Sequence, residues 1–90
     1  MSELRNLWAL INADLKRARN MLPDDAASDA TIRGYQEYID QNELELACDM
    51  LEAYAMDHEA SREFWFALRD AATKMDLSDR SSRYEKRASS

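Results

Sequence analysis

The segment from Asp40 to Glu59, DQNELELACDMLEAYAMDHE, decides the fold, because it is a run of helix-forming residues with apolar positions three and four residues apart. This spacing predicts a helix over residues 43–57. Its core-facing residues are predicted to be Leu44, Ala47, Cys48, Leu51, Tyr54, Ala55 and His58. An Asn42–Glu45 pair resembles a capping box at its start.

The same segment contains no lysine or arginine, and the gap extends on both sides of it. The stretch between Arg33 and Arg62 holds eight acidic residues: Glu37, Asp40, Glu43, Glu45, Asp49, Glu52, Asp57 and Glu59. Like charges at helical spacing repel one another, and a helix built for stability alone would place a base four residues after each acid. The sequence therefore raises the question of where the counter-charges lie.

Three further helices are predicted outward from this segment. The first ends at Pro23, and its apolar stripe is Leu4, Leu7, Trp8, Ile11, Leu15, Ala18 and Leu22. The second is capped by Ser28 or Asp29, and its apolar positions are Ile32, Tyr35, Tyr38 and Ile39. The fourth begins between His58 and Ser61 and ends near Asp76.

Composition supports an all-α fold. The 90 residues include one glycine and one proline, too few for the many reversals of a sheet protein. We therefore predict a compact bundle of four helices, with a short fifth helix as an option at the C-terminus. Residues 1–77 are predicted to form a single helical domain. Residues 78–90, SDRSSRYEKRASS, are predicted to be a polar, basic tail that is dispensable for folding.

The sequence offers little for catalysis. Cys48 and His58 are the only residues of their types, and ten residues of helix separate them by about 15 Å, too far for a catalytic dyad. No Glu-x-x-His motif supplies bundle metal ligands, and a single glycine excludes a glycine-rich phosphate loop. We expect no enzymatic activity, no metal and no cofactor.

Charge and hydropathy also suggest a location. A net charge of −6 disfavours direct nucleic-acid binding, which depends on lysine and arginine. The apolar runs are too short to span a membrane, and no basic and apolar leader is evident. A lone cysteine is typical of a reducing compartment, so we expect a cytoplasmic protein.

The acidic residues of the third helix predict a binding surface. Glu45, Asp49, Glu52 and Glu59 share one face, which is predicted to lie opposite the core. Phe64, Trp65 and Phe66 are consecutive, so a helix cannot bury all three. Acidic groups around apolar anchors suit a basic partner, since charge speeds encounter and anchors supply affinity. The predicted site is Glu43, Glu45, Asp49, Glu52, Met56, Glu59, Trp65 and Phe66.

Residues 32–60, IRGYQEYIDQNELELACDMLEAYAMDHEA, with MDL at 75–77, resemble the MafI-type and related small helical immunity proteins of bacterial polymorphic toxin systems. The residues that carry the match are Tyr38, Ile39, Asn42, Glu43, Leu46, Ala47 and Leu51. The resemblance implies an antidote, monomeric when free, that neutralises a cognate toxin delivered in contact-dependent competition between bacteria. Such toxins are often nucleases (RNases), whose phosphate-binding sites are basic, so an acidic helical surface could block one.

Two other interpretations remain open. The chain could be a helical module that homodimerises by burying Phe66 and Tyr54. It could also be an adaptor or inhibitor for another basic cellular protein, with the same electrostatics and no toxin.

Overall fold

The computed structural model describes residues 3–89, which form five α-helices and no strand. The helices are α1 (Glu3–Asn20), α2 (Ala30–Asp40), α3 (Leu44–Asp57), α4 (Arg62–Lys74) and α5 (Ser78–Ser89). A short 3-10 helix (Asp24–Ser28) links α1 to α2. The prediction of an all-α bundle is confirmed, and the fifth helix is present. No helix within residues 3–89 is both long and apolar enough to cross a membrane.

Helix α4 lies at the centre of the packing, against α1 on one side and α5 on the other, while α2 packs against α3. All five helices supply buried side chains, and the largest that are fully buried are Tyr35, Tyr84, Phe64, Leu15, Leu51, Leu68 and Cys48. Every predicted core position of α3 is buried except His58, which lies just past the end of the helix and is exposed.

Two helical hairpins, α2–α3 and α4–α5, are closed by the same kind of turn. Asn42 and Asp76 both adopt a left-handed conformation, with φ of 58° and 60°. The next amide donates back across the turn, from Glu43 N–H to the Tyr38 carbonyl at 2.8 Å and from Leu77 N–H to Ala72 at 2.9 Å. Asn and Asp tolerate this conformation better than other side chains do, so no glycine is needed.

This turn overturns the predicted capping box. Asn42 belongs to the C-terminal turn of α2, and the residue that precedes α3 is Glu43, whose side chain makes no capping hydrogen bond. The prediction was wrong because Asn is favoured both at helix starts and in left-handed turns.

The predicted tail is also wrong. Residues 78–89 form a full helix, α5, in which Tyr84 and Ala88 are buried. The ring of Tyr84 lies 5.8 Å from that of Trp65, so α5 closes the core beside α4. The polar composition concealed a narrow stripe formed by Leu77, Ser81, Tyr84 and Ala88, spaced four, three and four residues apart.

The first half of α1 was predicted to contribute to the core, but it is exposed. Ile11, Leu15, Ala18 and Leu22 are buried as predicted, but every residue from Glu3 to Leu10 is exposed. The register between α1 and α4 explains this difference. The Nζ atom of Lys74, the last residue of α4, lies 2.6 Å from the buried carboxylate of Asp14. Residues 3–10 therefore run on for about 12 Å beyond the part of α1 that the bundle covers, at ~1.5 Å per residue.

Candidate binding surface

The acidic face of α3 is matched by basic residues of α5. The guanidinium of Arg80 donates two hydrogen bonds to Asp49, from Nε to Oδ1 at 2.8 Å and from Nη2 to Oδ2 at 3.0 Å. Its Nη2 also lies 3.1 Å from Glu45 Oε2. Hydrogen bonding to Asp49 raises the pKa of Arg80 above its already high value, so this cation remains charged throughout the working pH range.

Arg83 repeats this geometry one turn further along. Its Nε and Nη2 donate to the two oxygens of Glu52 at 2.7 and 2.9 Å, and Glu52 raises the pKa of Arg83. The phenol of Tyr84 also donates to Glu52 Oε1, at 3.0 Å. Bidentate (two-pronged) arginine–carboxylate contacts are among the stronger ion pairs because both partners are held in a fixed orientation.

Both contacts join residues 31 apart in sequence, so α3 and α5 run parallel and their charged faces stay in register. The prediction that this face of α3 lies away from the body is therefore wrong for Asp49 and Glu52, since both carboxylates are partly covered by α5. Glu45 remains exposed although it is paired. The counter-charges missing from the middle of the sequence come from the end of the same chain.

The remaining predicted site residues are scattered. Glu43 and Met56 are exposed at opposite ends of α3, and Glu59 is exposed in the loop that follows it. Trp65 is only 6% exposed, with the Arg87 guanidinium 5.4 Å from its ring centre, so it is no exposed anchor. Phe66 is partly buried, and Arg69 lies 4.8 Å from the centre of its ring. At least one of the three consecutive aromatic residues does reach the surface, as predicted.

A different group of carboxylates shares a concave surface. We call it the acidic cleft, and its lining is Pro23, Asp25, Ser28, Asp29, Tyr54, His58 and Glu59. The 3-10 helix and the start of α2 form one wall, and the end of α3 with the following loop forms the other. Three carboxylates line the cleft, and its lining includes no lysine or arginine.

Local hydrogen bonds stabilise the wall that is formed by the 3-10 helix and the start of α2. Asp29 caps α2, and its Oδ1 accepts the Thr31 amide at 2.8 Å. Ser28 Oγ donates to the Asp25 carbonyl at 2.9 Å, which closes the 3-10 turn. The carboxylate of Asp25 takes no part in that bond, so it is available to a ligand. Pro23 precedes this turn with an extended backbone, three residues after the end of α1.

The second wall contains a flat stacked pair. The rings of Tyr54 and His58 are 3.9 Å apart and nearly parallel, at 5°. His58 Nδ1 lies 2.9 Å from the Tyr54 carbonyl oxygen. A carbonyl can only accept, so Nδ1 is the donor, and in the neutral imidazole Nε2 is left as an acceptor. The cleft thus has carboxylates around a planar surface.

This arrangement suits a cationic side chain better than a metal ion. Among residues 3–89, no three His, Cys, Asp or Glu side chains are grouped closely enough to hold a metal. A lysine or arginine from a partner could instead approach the carboxylates of Asp25 and Glu59 and lie against the Tyr54–His58 pair.

Sequence reasoning missed half of this cleft. It assigned no binding role to residues 23–28, PDDAAS, and found Glu59 solely through its spacing along α3. The available signal was the density of acids around a helix start, Asp24, Asp25 and Asp29, but nothing in the sequence showed that this turn folds back beside His58.

Cys48 has a structural role. Its Sγ lies 3.6 Å from the Tyr84 hydroxyl in the core, and burial raises the pKa of the thiol to about 12. Burial likewise raises the pKa of Tyr35 to about 12 and that of Tyr84 still further. All three groups stay protonated in the folded state well above neutral pH.

These shifts predict loss of stability in alkali. An unfolded chain releases the Cys48 and Tyr35 protons near pH 9 and 10, whereas the folded chain holds them to about 12. Stability from these groups is therefore complete below about pH 9 and declines as the pH rises toward 12. Urea midpoints at pH 8, 10 and 11 should fall in that order, and native Cys48 should resist a thiol reagent at pH 8 that labels it fully in urea. An alkali-independent midpoint, or fast native labelling, would contradict the burial of these groups.

Fold and surface together define a small acidic all-helical protein with a cleft suited to a cation. The chain matches no family model, and comparisons with curated proteins and with solved structures likewise found no match.

Proposed function

We propose that this protein is a cytoplasmic immunity protein that binds and neutralises a basic cognate toxin, a nuclease by preference, through the acidic cleft. The supporting observation is the group of three carboxylates, Asp25, Asp29 and Glu59, in one concave surface whose lining has no lysine or arginine. The net charge of −6 acts in the same direction over longer range.

The physical basis is electrostatic complementarity. A nuclease holds phosphate groups with lysine and arginine, so its active site attracts carboxylates. The cleft offers its carboxylates on a fixed backbone, which lowers the entropy lost on binding. Met56 is exposed near the end of α3 but is not part of the cleft lining, so its role in binding stays a prediction.

The face of Glu45, Asp49 and Glu52 contributes less to this proposal than the sequence suggested. Two of its carboxylates are already hydrogen-bonded to α5, so a partner would have to displace Arg80 and Arg83 to use them. Their role in toxin binding stays a prediction, whereas the lining of the cleft includes no lysine or arginine.

The main alternative is an adaptor for a different basic protein, which would use the same cleft. Homodimerisation through Tyr54 and Phe66 is less well supported, because Tyr54 is buried under His58 and Phe66 is partly covered by Arg69.

Co-expression tests the proposal and separates it from the adaptor alternative. The C-terminal domain encoded by the gene immediately upstream would be expressed in a bacterial host with and without this protein. We expect that domain to arrest growth alone and the protein to restore growth. Growth arrest that this protein does not relieve, or an upstream product with no toxic domain, would count against an antidote.

A further inference from the structure

The exposed half of α1 is an apolar surface with no covering element in the described chain. Leu4, Leu7 and Trp8 lie on the same helical face as the buried residues Ile11, Leu15 and Ala18, in one continuous stripe. The bundle covers the second half of that stripe and stops. Leu4 is 57% exposed and Trp8 40%, and Leu10 on the flank is 54% exposed. We call Leu4, Leu7, Trp8 and Leu10 the α1 patch.

We propose that the α1 patch pairs with the same patch of a second copy, giving a two-fold symmetric, antiparallel helix pair. This inference is independent of the toxin-binding proposal and concerns a different surface, and it departs from the expectation that the protein is monomeric when free. A two-fold contact uses one patch twice, so a single stripe with a central tryptophan is sufficient to build it.

Charge favours a second copy over the basic partner proposed for the cleft. Residues 3–10 contain one acid, Glu3, and one base, Arg5, whereas the whole chain carries −6. A basic protein gains no attraction from this neutral segment. Two acidic copies, in contrast, can meet here without setting like charges face to face.

The position of the α1 patch also supports a second copy of the chain as its partner. The α1 patch lies beyond the C-terminal end of α4, where Asp14 meets Lys74. The acidic cleft lies near the other end of α4, where Ser61 contacts Met21 at 4.0 Å, close to Pro23 and Glu59. The 13 residues of α4 separate these ends by about 20 Å at ~1.5 Å per residue. Pairing through α1 therefore leaves the cleft open.

The size of the patch sets the expected strength. Four large apolar side chains on one helix half expose on the order of 300 Å², the scale of patches that serve as contacts. Pairing two such halves, with their flanking residues, buries roughly 1,000 Å² in total, the lower limit for a specific interface. The dimer should accordingly be reversible, with a Kd in the micromolar range.

Sedimentation velocity of the full chain, measured from about 5 to about 500 µM, covers the range of Kd expected for such an interface. We expect the weight-average sedimentation coefficient to rise from monomer to dimer over this range. In L4E/W8E the protein should stay monomeric throughout, because four glutamates would meet across the pair. The matched control A9E/A13E adds the same charge to exposed positions on the side of α1 opposite Leu4, Leu7 and Trp8 and carries a similar repulsion from net charge alone, yet should still dimerise.

Circular dichroism of each variant confirms folding, and W8A provides a milder second variant that should weaken dimerisation at least about tenfold, as expected for loss of a central tryptophan. Two results would overturn the proposal. The native chain could remain monomeric at every concentration, whether or not α1 binds lipid vesicles, or its dimer could survive L4E/W8E and W8A.

Discussion

Replacing Tyr84 with alanine should remove about 3–5 kcal/mol from the free energy of unfolding, the usual cost of deleting a buried aromatic ring. Tyr84 is fully buried between α3 and α4, beside Trp65 and within 3.6 Å of Cys48. In a domain of this size the loss lowers the melting temperature by roughly 15–30 °C. Urea denaturation followed by circular dichroism measures it.

Two companion variants sharpen this test. Ser82→Ala, at an exposed position of the same helix, should change stability by less than ~0.5 kcal/mol. Tyr84→Phe keeps the ring and removes the hydroxyl, with its hydrogen bond to Glu52 and its contact with Cys48 Sγ, so it should cost about 1–2 kcal/mol. If Y84A were as mild as S82A, α5 would not be docked, and residues 78–89 would be the tail that the sequence suggested.

The second large effect is expected from reversing the two arginines that face α3. R80E/R83E breaks both two-pronged contacts and sets new glutamates against Asp49 and Glu52. We expect a loss of about 2–4 kcal/mol, less than for fully buried pairs because Arg83 is nearly half exposed and water screens it. Chemical denaturation at two salt concentrations measures this loss, which should shrink at high salt.

The control R33E/K86E makes the same change in net charge at exposed positions away from α3, and should be close to neutral. A double-mutant cycle with E52K then isolates the pair: R83E/E52K should recover part of what either single reversal loses. No recovery, together with equal losses in the control, would mean that net charge alone determines the effect.

The same contacts change what is expected of the acidic face. Reversing Glu45, Asp49 and Glu52 to lysine would leave a solvated face folded. With Arg80 and Arg83 opposite, the reversal should instead destabilise the protein. A loss of binding in that variant would then have two causes that cannot be separated, the lost partner contacts and the unfolding of the protein.

Much of the fold was predictable because helix periodicity is a local property. The stripes of α2, α3 and α4 follow from residues three and four apart, and a scarcity of glycine and proline excludes most other architectures. The largest errors lie at the chain ends. Tyr84 and Ala88 are too sparse to look like a core stripe, and Leu4, Leu7 and Trp8 form a proper stripe whose exposure depends on where α4 ends.

The candidate site was less predictable for a related reason. Spacing within α3 correctly placed Asp49 and Glu52 on one face, but pairing with residues 31 positions later is a tertiary property. The acidic cleft likewise depends on a turn, at Asp25 and Asp29, meeting a distant loop at Glu59. Charge counts show that a chain is acidic, and only the packing shows which acids remain available.

Association kinetics test the central claim, that the acidic cleft receives the basic partner. The upstream-encoded toxin domain would be immobilised, and binding of D25K/E59K compared with that of E37K/D79K, which makes the same charge change at exposed positions outside the cleft. We expect D25K/E59K to associate at least about tenfold more slowly and to dissociate faster, and E37K/D79K to lose no more than about threefold in association rate. Equal association rates for the two variants, both folded by circular dichroism, would contradict the claim and leave net charge as the only electrostatic contribution.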